Sequence, residues 1–242
     1  MILALDAGNS RIKWGCFEHG NWLNAGAVAR DEIDTLKSVL SEISNPRKIV
    51  VSNVAGVEIH RKINEAIGHF GINAEWPKPA KQCCGVTNGY EVPHQLGSDR
   101  WAALIGARSQ QPGSVLVVNA GTALTIDTLT ANGQFLGGLI LPGIGMMLRA
   151  LTAGTAHAHA AYGEFSKFPT KTTDAIYSGA INAALGAIER MRTVLADHSG
   201  SQPTCVHSGG AAPALSPHLA APVREVPHLV LFGLVTMAEA MD

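Results

Sequence analysis

Residues 3–15 read LALDAGNSRIKWG, and residues 117–129 read VVNAGTALTIDTL. Each is an apolar run that ends in a small polar turn and passes into a second strand-like run. With Asp6 laid on Asn119, Ala7 falls on Ala120, Gly8 on Gly121 and Asn9 on Thr122, an offset of 113 in a chain of 242 residues. Self-similarity at close to half the length marks an internal duplication. The pair decides the fold class: two α/β halves, each opening on a strand, a turn and a second strand. One chemical change between the copies, an acid at 6 and an amide at 119, needs a reason.

Outward from the first copy, RIKWGCFE (11–18) and WLNAGAVA (22–29) read as the second and third strands of a mixed sheet. Asp31 is placed to cap a helix reaching Ile43, with Ile33, Leu36, Leu40 and Ile43 at helical spacing. KIVVSNV (48–54) is a buried strand, and VEIHRKINEAIGHFG (57–71) is a helix stopped by Gly71. Residues 77–96 are rich in Pro, Gly and Asn and read as a loop, followed by a helix over 99–110. The second copy continues as strands over 114–120, 123–130 and 134–142. Helical patterns follow near 144–153, 174–196 and 229–241, with a strand at 203–210 before the last. Residues 155–171 lack periodicity and read as a loop. The expected domains are 1–112 and 113–242, two mixed-sheet halves flanking a cleft.

Composition bounds the function class. Hydrophobic residues make up 46% and charged residues 15%, with 26 glycines, which describes a well-buried globular chain with many tight turns. Eighteen basic against nineteen acidic residues leave a net charge of −1 and no basic stripe, which argues against nucleic-acid binding. Cys16, Cys83, Cys84 and Cys205 form no CxxC pair, so reduced thiols in a cytoplasmic protein are expected. MILALDAGNS lacks a basic leader, and no apolar run approaches the ~18 residues of a membrane span.

The repeated turn offers chemistry. Gly lets a phosphate approach the backbone, Asn, Ser and Thr add donors, and two such hairpins could hold a polyphosphate between them. A carboxylate at a strand end, Asp6, can reach a Mg²⁺ that bridges phosphate oxygens, and Lys13 can offset phosphate charge. A second copy that only cradles phosphate needs no second carboxylate. Ordinary hairpin turns would use the same residues. The two commonest nucleotide cradles, the P-loop and the Gly-x-Gly-x-x-Gly turn, are absent. Gly97, Ser98, Asp99 and Arg100 stand where a loop enters a helix, so Asp99 is favoured as an ion there. It is either the base for an alcohol acceptor or a helix cap beside a solvated Arg. His157 and His159 lack the companions of a metal site and read as loop histidines. Gly209 and Gly210 suit either a nucleotide base or a plain strand–helix turn.

Taken together, DAGNSRIK (6–13), YEVPHQLGSDR (90–100), NAGTALTID (119–127), GGLILPG (137–143) and HSGG (207–210) resemble the type III pantothenate kinases. That family, once labelled Bvg accessory factors, belongs to the acetate and sugar kinase/actin superfamily with a duplicated ribonuclease H-like, actin-like ATPase fold. The resemblance covers nearly the whole chain. It implies transfer of the ATP γ-phosphoryl group to the primary hydroxyl of pantothenate, the first step of coenzyme A synthesis. It puts Asp6, Ala7, Gly8, Asn9, Ser10, Arg11, Ile12 and Lys13 along ATP, with Asp6 toward Mg²⁺, and adds Gly121 and Thr122. Tyr90, Gly97, Ser98, Asp99 and Arg100 match the pantothenate contacts, with Asp99 as catalytic base. Thr172 or its neighbour Thr173 matches a substrate contact reached across a homodimer interface. The family usually has Asp where this chain has Asn119, holding K⁺ or NH₄⁺; an amide brings no formal charge to that cation. Two alternatives are another small-molecule kinase of the superfamily and a non-catalytic regulatory homologue. The YEVPHQLGSDR segment argues against the first, and the joint presence of Asp6, Lys13, Asp99 and Arg100 against the second.

Overall fold

The structure, a computed structural model, describes residues 1–154 and 163–241. Two compact units divide it: 1–110 with 228–242, and 111–227. In the first unit, β1 (Ile2–Ala7), β2 (Arg11–Glu18), β3 (Asn21–Ala29), β4 (Lys48–Asn53) and β5 (Ala74–Glu75) form a sheet in the order β3-β2-β1-β4-β5. Strands β1, β4 and β5 run parallel, while β2 and β3 fold back as a meander. Helices α1 (Leu36–Ser41) and α2 (Val57–Ile67) complete this part, and a short hairpin of β6 (Gln82–Cys83) and β7 (Val86–Thr87) precedes α3 (Ser98–Gln110). The second unit repeats the plan. Strands β8 (Val115–Ala120), β9 (Ala123–Leu129), β10 (Phe135–Pro142), β11 (Thr204–Ser208) and β12 (Val223–Glu225) lie in the order β10-β9-β8-β11-β12. Helices α4 (Ile144–Gly154), α5 (Thr172–Ser199) and α6 (Ala212–Leu215) belong to it, and α7 (Leu229–Glu239) ends the chain.

Identical strand order and identical direction of every pair make the two sheets copies of one plan. That is the duplicated ribonuclease H-like fold. The register refines the repeat. Asp6 sits opposite Lys13 on β2 and Ser52 on β4. Asn119 sits opposite Thr125 on β9 and Ser208 on β11. The second hairpin is one residue shorter, so the offset of 113 falls to 112 after the turn. Thr122 therefore takes the place of Ser10, not of Asn9 as the linear overlay has it. The Ser10 carbonyl accepts from Arg30 N at 3.0 Å, and the Thr122 carbonyl accepts from Gly143 N at 3.0 Å.

The core of the first unit is aliphatic. Leu3, Leu5, Ile12, Leu36, Ile49, Val51 and Ile63 are buried between β-sheet and helices. Alternation along β1 does not show, because both faces are covered and all six residues are buried. Helix α7 packs on α3 in this same unit, whereas the sequence reading carried it in the 113–242 half. Its residues Leu229, Val230, Leu231, Leu234 and Val235 are all buried, and only a narrow stripe, Phe232, Thr236 and Glu239, is partly or wholly exposed, so it behaves as a core helix. The backbones approach closely: a Cβ on Gly233 would lie 1.8 Å from the Ala102 carbonyl oxygen, and one on Gly106 would lie 2.4 Å from that of Leu229.

The expected helix over 31–43 is two pieces. A 3₁₀ segment spans Arg30–Thr35, and the α-helix begins only at Leu36. Glu32 leaves helical geometry, with φ −102° and ψ 16°, and β3 runs to Ala29, so Asp31 lies inside the 3₁₀ turn and makes no cap bond. The loop over 77–96 holds the β6–β7 hairpin and a 3₁₀ turn at Pro93–Gln95. His157 and His159, with residues 155–162 of the loop expected over 155–171, lie outside the described residues. No helix among the described residues is long and apolar enough to cross a membrane.

Candidate functional site

Paired residues on adjacent strands of a sheet project from the same face. Lys13, Asp6 and Ser52 therefore form a row across the end of β2, β1 and β4. Asp6 is 5% exposed, and its Oδ1 has no hydrogen-bond partner among the described residues. Lys13 Nζ stands 3.8 Å from Oδ2. Burial pushes the Asp6 carboxyl up to about 6; Lys13 pulls it down, and the negative charge of Asp99 raises it further. A buried carboxylate with an orphan oxygen is the donor a hard cation takes, so Asp6 fits Mg²⁺. Among the described residues no group of three or more His, Cys, Asp or Glu stands together. One carboxylate suits an Mg²⁺ that keeps most of its shell as water and phosphate oxygens.

The turn itself is less open than its composition suggests. The Gly8 N–H closes the hairpin onto the Arg11 carbonyl at 3.1 Å, and the Gly121 N–H does the same onto Ala123 at 3.0 Å. Ala7 and Ile12 have wholly buried side chains and belong to the core. Asn9, Ser10 and Arg11 are exposed.

The second carboxylate comes from α3. The Ser98 hydroxyl lies 2.8 Å from that of Ser52, which ties the first turn of α3 to the end of β4. Asp99, in that turn, is half-buried, and its Oδ1 accepts from Arg100 N at 2.8 Å. Gly97 makes room for it: a Cβ there would sit 2.6 Å from Asp99 Oδ1. Arg100 is buried and donates from Nη1 to the Tyr90 hydroxyl at 2.7 Å. Tyr90 in turn is set by Asn88, which is fully buried. Its Oδ1 accepts from Tyr90 N at 3.0 Å and its Nδ2 donates to the Pro93 carbonyl at 3.2 Å. A cavity of about 360 Å³ opens beside Gly97 and Ser98, walled by Trp76, Lys78 and His94 and by His60, which stacks on Trp76 at 3.9 Å.

The first unit thus gathers Asp6, Lys13, Tyr90, Gly97, Ser98, Asp99 and Arg100. Asn119, Gly121, Thr122 and Thr172 belong to the second unit. There Asn119, Thr125 and Ser208 repeat the row with no charged member. Gly209 has φ +108°, and a Cβ on it would lie 2.4 Å from the Ala120 carbonyl oxygen, so strand packing alone demands glycine there. Thr172 is exposed at the start of α5 and, unlike Thr173, lines a cavity of about 690 Å³ with Met147, Leu151 and Ile176. Ser52 and Asn88 escaped the sequence reading. For Ser52 a signal existed: SNV closing β4 and SGG closing β11 carry serine at matching register, Ser52 and Ser208. Asn88 left no pattern.

The fold and this site define a class first. The chain resembles, at TM-score 0.60 and 15% identity, a structure described as a 2-dehydro-3-deoxygalactonokinase from Sinorhizobium meliloti, covering 100% of this chain and 97% of that one. At TM-score 0.61 and 21% identity it resembles a Campylobacter jejuni structure described as a Baf family transcriptional activator, covering 99% and 98%. These likenesses establish an actin-like, sugar-kinase-type fold. Family membership is more specific. Residues 2–193 match the family model described as type III pantothenate kinase. The chain is 46% identical to the type III pantothenate kinase of Dechloromonas aromatica, covering 98% of this chain and 99% of that protein. It is 45% identical to that of Aromatoleum aromaticum, covering 98% of both. This chain belongs to the type III pantothenate kinase family.

Proposed function

We infer that this enzyme transfers the γ-phosphoryl group of ATP to the primary hydroxyl of pantothenate, giving 4′-phosphopantothenate, the first step of coenzyme A biosynthesis. The observation that carries the reading is one unit holding two acids that feel each other's charge, Asp6 buried and Asp99 half-buried, in a chain of this family. Phosphoryl transfer needs little covalent help from the protein and much positioning and charge compensation. Asp99 accepts the proton of the acceptor hydroxyl. Arg100 and Tyr90 hold the polar acceptor against it. Lys13 offsets phosphate charge, and the turn at 8–10 lies along ATP. Asp6 would hold Mg²⁺, which supplies charge neutralisation on the phosphate oxygens when bound.

Three finer readings accompany this. Asn119 gives the second unit a neutral row, so no potassium or ammonium ion is needed to offset a charge there. The enzyme works as a homodimer in the cytoplasm, and Thr172 reaches the acceptor of the other protomer. Apolar side chains left exposed on the second unit, Ile140, Met146, Leu151 and Phe168 among them, support burial of part of this surface against another copy. ADP release with pantothenate and with a panel of sugars, short hydroxy acids and amino alcohols tests the reading. Turnover on pantothenate at least ~10²-fold above every other acceptor supports it. Equal or faster turnover on a sugar overturns it.

A further inference from the structure

We propose that Ser52 is a positioning residue for phosphoryl transfer, which through its hydrogen bond to Ser98 fixes the first turn of α3, and Asp99 with it, against the strand end that carries Asp6. The inference rests on the reading of Asp6 and Asp99 above. Ser52 is wholly buried at the last turn of a parallel strand, in direct register with Asp6. Parallel neighbours project from one face, so its hydroxyl and the Asp6 carboxylate leave the sheet side by side. Its Oγ lies 2.8 Å from Ser98 Oγ, across 46 residues of chain. Ser98 is the first residue of α3 and the immediate neighbour of Asp99.

A buried strand interior has little use for a hydroxyl. The other β4 residues from Ile49 to Val51 are apolar and buried, and alanine would fill the position at no cost in polar desolvation. A serine there is explained by its partner. The first backbone bond of α3, Trp101 N to the Gly97 carbonyl at 2.9 Å, is local, and Arg100 in the same turn bonds the Tyr90 hydroxyl at 2.7 Å; the Ser52–Ser98 pair joins this turn to β4. Packing of α3 on α7 sets where the helix lies, through Gly106 and Gly233, but both contacts fall on the later turns. Alongside the buried Trp101 and the Arg100–Tyr90 bond, the serine pair ties the first turn directly to the strand residue beside Asp6, and so bears on how Asp99 stands toward Asp6. A misplacement of about 1 Å at a reacting group costs on the order of 10²-fold in rate.

Kinetics of Ser52→Ala, Ser52→Thr, Asp99→Asn and the Ser52→Ala/Asp99→Asn double variant, with pantothenate and ATP, test this. Ser52→Ala should lower kcat roughly 10- to 10²-fold with the KM for ATP unchanged, because the bond orients a reacting group. Ser52→Thr keeps the hydroxyl and should restore most of the loss. The double variant should be no slower than Asp99→Asn, because Ser52 acts only through that carboxylate. Thermal melts of each protein accompany the kinetics. A Ser52→Ala protein that melts lower but turns over like the wild type, or one whose loss multiplies with that of Asp99→Asn, overturns the inference and leaves Ser52 a packing residue. Wild-type turnover by Asp99→Asn instead overturns the site reading on which the inference rests.

Discussion

Arg100 Nη1 and the Tyr90 hydroxyl are 2.7 Å apart, ten residues distant in sequence and joined across the loop that ends at Gly97. The bond fixes a buried guanidinium so that one edge is held by the protein, and it brings the phenol ring within 5.7 Å of the guanidinium carbon. Tyr90→Phe removes the acceptor and keeps the ring. A lost hydrogen bond to a charged group is worth about 1–3 kcal/mol, so the KM for pantothenate should rise roughly tenfold or more while kcat changes less. Steady-state kinetics with varied pantothenate decide it. An unchanged KM would separate Tyr90 from the acceptor.

Gly97→Ala reads out the room that Asp99 needs. The new methyl would meet Oδ1 at 2.6 Å, and a carboxylate can turn away where a backbone cannot. Turnover should fall at least ~10-fold while the melting temperature moves little, because the clash is with a movable catalytic group. Melting and turnover falling together in proportion would mean that the loop, not the carboxylate, yields.

The two sheets were largely readable before the structure. The strand-turn-strand repeat, the strand over 48–54 and the helix stopped by Gly71 follow from apolar runs and punctuation that local chemistry sets. Gly71 indeed closes its helical segment with φ +68°. Strands β5 and β12, two and three residues long, carry no period to detect. Helix α7 is apolar over most of its circumference, which tells that it is buried but not in which unit. The register of β4 on β1, and with it Ser52 beside Asp6, is set by a crossover pairing that neither strand's own pattern states. The second hairpin is one residue shorter than the first. A linear overlay hides that difference. Acids and bases at loop–helix junctions were found by type; Asn88 was not, because its work is to hold Tyr90 through backbone bonds.

Asp6 makes stability depend on pH in a stated direction. Its carboxyl titrates at about 6 when folded and near 4 when unfolded, so the folded chain holds the proton more tightly. That stability is present below about pH 4 and is lost as pH rises through 6, on the order of 3 kcal/mol by pH 7.5. Asp6→Asn should therefore melt several degrees above the wild type at pH 7.5 in EDTA, and about equally at pH 4. Added Mg²⁺ with ATP should raise the wild-type melt and leave the variant nearly unmoved, with turnover lost. A variant that melts lower at pH 7.5 would show that the carboxylate is already satisfied in the protein.

At Asn119 an acid would bring a charge to a row that is otherwise Thr125 and Ser208. The wild type should turn over almost as fast in sodium or Tris buffer as in potassium. Asn119→Asp should become potassium-dependent, since only a bound cation makes that charge tolerable beside phosphate. Steep activation of the unmodified enzyme by potassium or ammonium over sodium would mean that the amide oxygen itself holds the ion.

The most direct measurement follows the product. Wild-type enzyme and Asp99→Asn are each incubated with ATP, Mg²⁺ and pantothenate, and the phosphomonoester at the primary hydroxyl is followed by ³¹P NMR. The mechanism gives stoichiometric 4′-phosphopantothenate with the wild type and a rate ~10²- to 10⁴-fold lower with Asp99→Asn at unchanged melting temperature. No phosphomonoester from the wild type, or equal rates from the two proteins, would contradict it.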